Sequence, residues 1–475
     1  MKKSGEITVF LALVLSILIS LLFTVIQAAR TNAMRFQTEC VTDMALQSVL
    51  AEYNRELLEQ YELFFIDAAY GTMEESNILL EEHIREYLEK NFNAGGWQRN
   101  FSIKDLLELQ IDFAEIEKSC GAADDMGGVL ERRAAEYMLE RYGLDTLLQK
   151  FETEDFETES LFACDMKEMR KENETAIRRV DTTVTDSDGK KHRIPVKNPA
   201  DTINRRRGSS EVLRLMTEGK ELSKREFRAE EYLSARSYLE QDGFLPEERT
   251  NLPFEENLFR QYLMEKCGNY VHPKDSSYLT YQMEYLLAGK DCDVENLQTV
   301  TERILALREA SNFIYLLSDS EKQAEAEAMA MTLAAVILFP ELAELIKFSI
   351  LIAWAYAESV NDVKTLLGGG NVPLYKSRSD WRLGLESALS LNLPQTEKGQ
   401  SGLSYEEYLH IFLLTVKREE RNKRFMDLVE MDIRQTEGNE NFCINHCVDS
   451  FIVQIQVRSA KGGDCLITRT AGYWK

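Results

Sequence analysis

The sequence predicts a mainly α-helical protein with a small β part (α+β), tethered by one N-terminal transmembrane helix. Three observations predict it. Residues 7–29 contain no charged side chain. Proline is scarce, 8 in 475 residues, so long helices run without breaks. Apolar residues recur at threes and fours over most of the chain and alternate in only a few short stretches. Hydrophobic residues make up 44% and charged residues 29%, a folded composition. The 80 acidic residues outnumber 56 basic ones, for a net charge of −24. Such a surface repels phosphate backbones, so nucleic acid is excluded as a general partner.

The first element is the anchor, residues 1–35. As a helix, Ile7 to Ala29 spans about 34 Å, enough for a hydrocarbon core of about 30 Å. Ile7, Phe10, Leu15, Ile19, Phe23 and Ile26 are the expected lipid-facing side chains. A cleaved secretory signal is the rival reading. Its apolar region runs about 7–15 residues and ends in a small-x-small site. The run here is longer, and Gln27-Ala28-Ala29 fits that site poorly. Lys2 and Lys3 before the run nearly balance Arg30 and Arg35 after it, so flanking charge does not set the orientation. The first 35 residues carry +3, which leaves −27 on residues 36–475. An acidic body this large fits export. The expected topology is a single-pass cell-membrane protein with a cytoplasmic N-terminus and an extracytoplasmic body.

Residues 36–165 are expected to form a helical stem and an α+β region. Leu46, Val49, Leu50, Tyr53, Leu57, Leu58, Tyr61, Phe64 and Phe65 continue a helical period from Thr38 to Phe65, with no Pro or Gly after the membrane run. One long helix is expected, or two with a bend near Arg30 to Arg35. Leu107, Leu109, Ile111 and Phe113 alternate with polar residues, which predicts a strand over 107–113; a helix follows from Met126 to Lys150. Residues 166–230 form a charged segment. Within it, Asp188-Gly189 between two β-prone arms predicts a hairpin over 180–196.

Residues 231–395 are the expected helical core. Helical pattern covers 208–290 with breaks, and then 293–318. Ala324 to Leu367 is the most apolar internal stretch. Its uncharged runs, Ala328 to Pro340 and Phe348 to Ala357, are too short to cross a bilayer, and Glu341, Glu344 and Lys347 lie between them. A buried helical hairpin is therefore expected, with Pro340 opening the second arm. In residues 396–475, helix is expected from Glu406 to Ile433. Phe451, Val453, Ile455 and Val457 then alternate with Gln454 and Gln456, and Gly462-Gly463 turns the chain into a C-terminal hairpin over 448–468. The 107–113 strand is a candidate for the same sheet.

Catalytic motifs are absent from the sequence. No His-Glu-x-x-His, Gly-x-Ser-x-Gly or dinucleotide-binding glycine pattern occurs, and Gly368-Gly369-Gly370 lacks the context of a phosphate loop. Asp186-Ser187-Asp188-Gly189 lacks the first and last ligands of a calcium loop. Cys443, Cys447 and Cys465 cluster near the C-terminal hairpin and are the candidates for one disulfide. With His446 they also outline a zinc set, but they are not two spaced pairs, so no metal and no other cofactor is expected. Arg205-Arg206-Arg207 reads as a solvated loop, with a grip on an acidic partner or lipid headgroup as the functional alternative.

Two resemblances add to this reading. Gly5-Glu6-Ile7-Thr8-Val9-Phe10 and the following apolar run, ending in Gln27-Ala28-Ala29-Arg30, resemble the N-terminus of TadE/TadG-like pseudopilins of the tight-adherence (Flp) pilus. That resemblance implies processing at Gly5 and a registering role for Glu6. It also implies an extracellular assembly role, with pilus or secretion-apparatus subunits as partners and self-association through the anchor helix. The whole chain, through stretches such as Thr42 to Asn54, Asn198 to Thr202 and Trp354 to Ser359, is similar to an uncharacterised family of bacterial single-pass membrane proteins. Together these give a membrane-anchored, pseudopilin-like structural or assembly protein rather than an enzyme. The alternative is an anchored envelope enzyme or ligand-binding protein with an unrecognised site.

Overall fold

The computed structural model describes residues 3–72, 77–92, 107–143, 165–185, 188, 190–196, 198–236, 254–337, 339–395, 401–460 and 462–473. It is mainly helical with a small β part. In chain order the elements are α1 (Lys3–Leu50), α2 (Arg55–Tyr61), β1 (Ile66–Asp67), α3 (Ile78–Phe92), β2 (Leu109–Gly121), α4 (Asp124–Tyr142), α5 (Met166–Arg179), β3 (Thr183–Thr185) and β4 (Lys191–Arg193). Then come α6 (Asp201–Arg206), α7 (Ser210–Met216), α8 (Glu255–Lys266), α9 (Gln282–Ala288), α10 (Asp293–Ser318), α11 (Ser320–Ile337), α12 (Ala343–Leu367), α13 (Leu385–Ser390), α14 (Tyr405–Leu413), α15 (Arg418–Ile433), β5 (Cys447–Ser459) and β6 (Asp464–Gly472). Two compact units form. Unit 1 is Met1–Tyr137, Ala235–Glu255 and Val429–Lys475; unit 2 is Met138–Ser234 and Glu256–Leu428.

Unit 1 is a helix layer on one face of an antiparallel sheet. β5 is the centre: β2 pairs along one edge, β6 and the short β1 along the other. Phe451, Val453, Ile455 and Val457 of β5 are fully buried, as their alternation predicted. They form one core with Val41, Ala45, Leu46 and Val49 of α1 and Leu80, Ile84 and Leu88 of α3. The expected 107–113 strand joins this sheet but runs on to Gly121. A register shift between Ile111 and Phe113 changes its alternation. Ala114, not Phe113, then joins the core beside Leu109 and Ile111. A bulge adds one residue and flips every later side chain, which strict alternation cannot anticipate.

The membrane run and the stem are one continuous helix, α1. The stem is shorter than the period suggested. It ends at Leu50, and Asn54 caps a separate short helix by accepting from the Leu57 N–H. Glu62, in the left-handed region at φ 58°, closes that helix, and the chain passes into β1. The apolar period survives because both helices bury the same kind of residue; the cap decides where one stops.

Unit 2 is built around α12. Every side chain from Ser349 to Val363 is buried, so this helix is packed on all sides. The expected apolar hairpin is present as α11 and α12, joined by a 3-10 turn, Pro340–Leu342, with Pro340 at its first position. The two arms differ. Ala326, Ala330 and Ala334 are buried, while Met331 on the same helix is half exposed. Only α12 lies in the centre, with α10 as its main partner. The β3–β4 hairpin forms where Asp188-Gly189 placed it. The single helix expected from Glu406 to Ile433 is two. Ser404 and Glu407 form a capping box that starts α14, and Thr415 Oγ1 donates to the Phe412 carbonyl where it ends. Helix in 208–290 is sparser than its period suggested, reduced among the described residues to α7, α8 and α9.

A charged network crosses the apolar centre of unit 2. Lys376 Nζ donates to Glu358 Oε1 and Asp362 Oδ1, both at 2.5 Å. Arg308 of α10 bonds Asp362 Oδ2 at 3.1 Å, Asn312 and the carbonyls of Pro373 and Leu374. The Arg382 and Leu383 N–H groups donate to Glu358. Buried charge is tolerated here because each named carboxylate meets a cation and further donors.

Candidate membrane anchor and assembly face

α1 divides by what surrounds it. From Ile7 to Ala29 every residue is exposed, with Ile7, Phe10, Leu15, Ile19, Phe23 and Ile26 at 44–67%. Two of its hydroxyls bond back to the helix. Ser16 Oγ donates to the Leu13 carbonyl, and Thr24 Oγ1 to the Ser20 carbonyl. That lets them sit in hydrocarbon with their donors satisfied. Among the described residues α1 is the one helix long and apolar enough to cross a membrane.

Five residues beyond Ala29 the surroundings change. Met34, Thr38, Val41, Thr42, Ala45, Leu46 and Val49 are buried, a stripe at threes and fours. This stripe lies on the inner face of the sheet. Arg30 donates to Ser459 Oγ at 3.1 Å, at the start of the contact. Further along, Arg469 of β6 pairs with Glu39 at 3.6 Å and Asp43 at 3.3 Å. Tyr473 donates its hydroxyl to the Leu50 carbonyl at 2.6 Å, where the helix ends. Phe36 and Met44, on the opposite side of α1, stay exposed.

The far end of the stem is held by Glu52. Tyr70 and Tyr87 donate hydroxyls to its carboxylate at 2.7 and 2.8 Å, and His83 Nδ1 lies 2.9 Å away. Burial raises the Glu52 carboxyl, but these hydrogen bonds outweigh it and hold the group below its ordinary range. The Tyr70 ring stacks on His83 at 4.0 Å. This cluster ties α1, α3 and the turn after β1 together, so the stem and the sheet are positioned as one rigid piece within unit 1.

The other residues singled out in the sequence fall as follows. Gly5 lies in the first turns of α1; the Glu6 side chain, Cys164 and residues 186, 187 and 189 lie outside the described ones. Cys443, Cys447 and Cys465 are free thiols. Cys465 lies opposite Val457, ten residues along β5 from Cys447 and so about 33 Å away. It is therefore not clustered with the other two, which removes it from both a shared disulfide and a zinc set. Cys443 and Cys447 are neighbours across one turn, with the Cys447 thiol 3.9 Å from the Cys443 carbonyl. Burial, with Glu430 nearby, pushes the Cys443 thiol up to about 11, and Cys447 is also raised by burial, so neither is a ready thiolate. The arginine triplet is split. Arg207 makes a bidentate pair with Glu309 at 2.8 Å and stacks on the Tyr356 ring, Arg206 is 3.8 Å from Glu211, and Arg205 faces a groove. Arg308, Glu358, Asp362 and Lys376 escaped the sequence reading because partners 14 to 54 positions apart leave no local pattern.

Comparison with family models decides the relationship, because one model matches residues 189–459, more than half of the chain. The chain belongs to DUF5702, a family of unknown function. No curated protein and no solved structure matches it. The DUF5702 match covers most of unit 2 and the central strand β5. It begins after α1, so the bare apolar helix stands outside the matched region.

Proposed function

We propose that this protein is a membrane-anchored, extracytoplasmic structural subunit. It is pseudopilin-like and serves the assembly of a tight-adherence pilus or a related secretion apparatus. One observation carries the reading: a single helix whose first half is bare and apolar and whose second half is built into a sheet. A rigid helix of this kind transmits position from the membrane to the body without a hinge. The bare half can pack against sister helices in the bilayer, through van der Waals contact and lipid exclusion. The N-terminus is cytoplasmic and the body outside, in keeping with the charge of −27 beyond residue 35. The resemblance of Gly5 to Arg30 to pseudopilin N-termini supports the same reading.

The test replaces Leu15 and Ile19 with Lys in a C-terminally tagged full-length protein. Each lysine at the centre of a span costs about 3 kcal/mol on insertion, and the lost apolar side chain adds about 0.5. The pair therefore costs about 7 kcal/mol, and the variant is expected to leave the membrane fraction. Mass spectrometry of proteins copurifying with the wild type is expected to recover pilus or secretion-platform subunits. Recovery of the protein alone from intact membranes, or full function of the soluble variant, would refute the assembly role.

A further inference from the structure

A groove of about 940 Å³ in unit 2 is lined by four arginines, in a chain with an excess of 24 acidic charges. α5 supplies Arg170, Glu174, Ile177 and Arg178, which fall on one face of a helix. β4 supplies Arg193, and α6 supplies Asp201, Asn204 and Arg205. Two of the arginines are held by backbone carbonyls. Arg193 donates to the Arg178 carbonyl at 3.1 Å, and Arg205 Nε to the Asp201 carbonyl at 3.2 Å. Each bond fixes a guanidinium while leaving other N–H groups free to reach a ligand. Among the described residues, no carboxylate pairs with Arg178, Arg193 or Arg205 within ion-pair distance; Arg170 lies 3.9 Å from Glu174. Four cations against Glu174 and Asp201 give the groove a net charge of +2.

The rest of the lining narrows the ligand. Asn204 donates to Glu174 at 3.0 Å, which fixes that carboxylate as a wall rather than as a partner for Arg178. Glu174, Asp201 and Asn204 offer acceptors and donors suited to hydroxyl groups. Ile177, Ile194, Pro195 and Val196 form an apolar side suited to the C–H face of a sugar or polyol. Guanidinium forks match phosphate oxygens bidentately. The geometry points to a binding site for a phosphorylated polyol or sugar, with Arg178, Arg193 and Arg205 on the phosphate and Glu174 and Asp201 on the hydroxyls. This goes beyond the assembly role and stands without it.

The same chemistry is available from a soluble polyol phosphate or from a lipid headgroup. Full-length protein in an uncharged detergent is titrated with glycerol phosphate and with inorganic phosphate by calorimetry. Protein in neutral vesicles is compared with protein in vesicles carrying phosphatidylglycerol. Saturable binding of glycerol phosphate, at least threefold tighter than inorganic phosphate, is expected and assigns a soluble source. Binding confined to phosphatidylglycerol assigns a lipid source and equally supports the site. Arg178→Gln with Arg193→Gln is expected to weaken binding at least tenfold with an unchanged melting curve; Arg205→Gln serves if that pair fails to fold. Binding to neither ligand, equal affinity for inorganic phosphate, or less than a twofold effect of the arginine substitutions overturns the proposal.

Discussion

Replacing Lys376 by Met tests the buried network of unit 2. The substitution conserves most of the side-chain volume and deletes one charge. Glu358 would keep two backbone donors, from Arg382 and Leu383, but no ion-pair partner among the described residues. Asp362 would keep Arg308 and Asn312. Breaking a buried pair costs about 3–5 kcal/mol, and the surviving partners of Asp362 place this one near about 3. Burial already raises the Glu358 carboxyl, against the pull of Lys376. Without Lys376 the carboxyl takes up a proton, so the penalty is expected to grow from pH 5 to pH 8 as that proton becomes harder to hold. The readout is built in. Trp354 and Trp381 lie edge to face at 5.8 Å beside the network, and the Lys322 ammonium sits over both rings. Melting of full-length protein in neutral detergent, followed by tryptophan emission, should fall by roughly 6–12 °C at about 2–4 °C per kcal/mol. Lys376→Met combined with Glu358→Gln should lose less than the sum of the two single changes, because the second removes the stranded charge. A shift below about 2 °C, or strict additivity, would refute the account of a coupled buried pair.

Two further outcomes follow from unit 2. Burial pushes the Glu284 carboxyl up to about 7, despite bonds from the Tyr270 N–H and the Tyr405 hydroxyl, with Asp293 nearby adding repulsion. Its folded value lies above the unfolded one, so stability is lost as pH rises from about 4.5 to 7, by about 3 kcal/mol in all. Buried His410, lowered to about 4 by burial and Arg260, acts in the opposite sense, losing stability as pH falls below about 6.5. The difference between Glu284→Gln and wild type across pH 5–8 isolates the glutamate; a parallel pair of stability curves would refute it. Gly402 has φ +135°, and a Cβ there would lie 2.3 Å from the Pro373 nitrogen and 2.4 Å from the Val372 carbonyl carbon. Gly402→Ala should therefore destabilise by about 3 kcal/mol or more. Gly384→Ala, whose Cβ meets nothing within 4 Å, should shift the melt far less, and equal shifts would refute the steric account.

Several features were legible because they depend on neighbours in sequence. The 7–29 run, the 293–318 helix, the Pro340 start and the Phe451 to Val457 alternation each appear where local pattern put them. Limits set by a single bond or an inserted residue were not. The Asn54 cap split the stem, the bulge after Ile111 moved Phe113 off the core face, and the turn after Leu413 divided a helix. Of the candidate sites, the exposed apolar run was readable because it is a matter of composition over adjacent residues. The cysteine cluster was misleading, because Cys443 and Cys465 are close in sequence but lie toward opposite ends of a strand.

The sequence by itself determined a charge-free helix long enough for a bilayer, an acidic body and a helix-rich composition, since each is a sum or a period over adjacent residues. Only the tertiary structure decided where that helix stops being bare and enters a sheet, at Met34. It alone joined Lys376 to Glu358 and Asp362, and gathered Arg178, Arg193 and Arg205 around one groove. Those arrangements rest on contacts between distant positions. The energy of such contacts comes from shared burial and low dielectric, which exist only once the chain has folded.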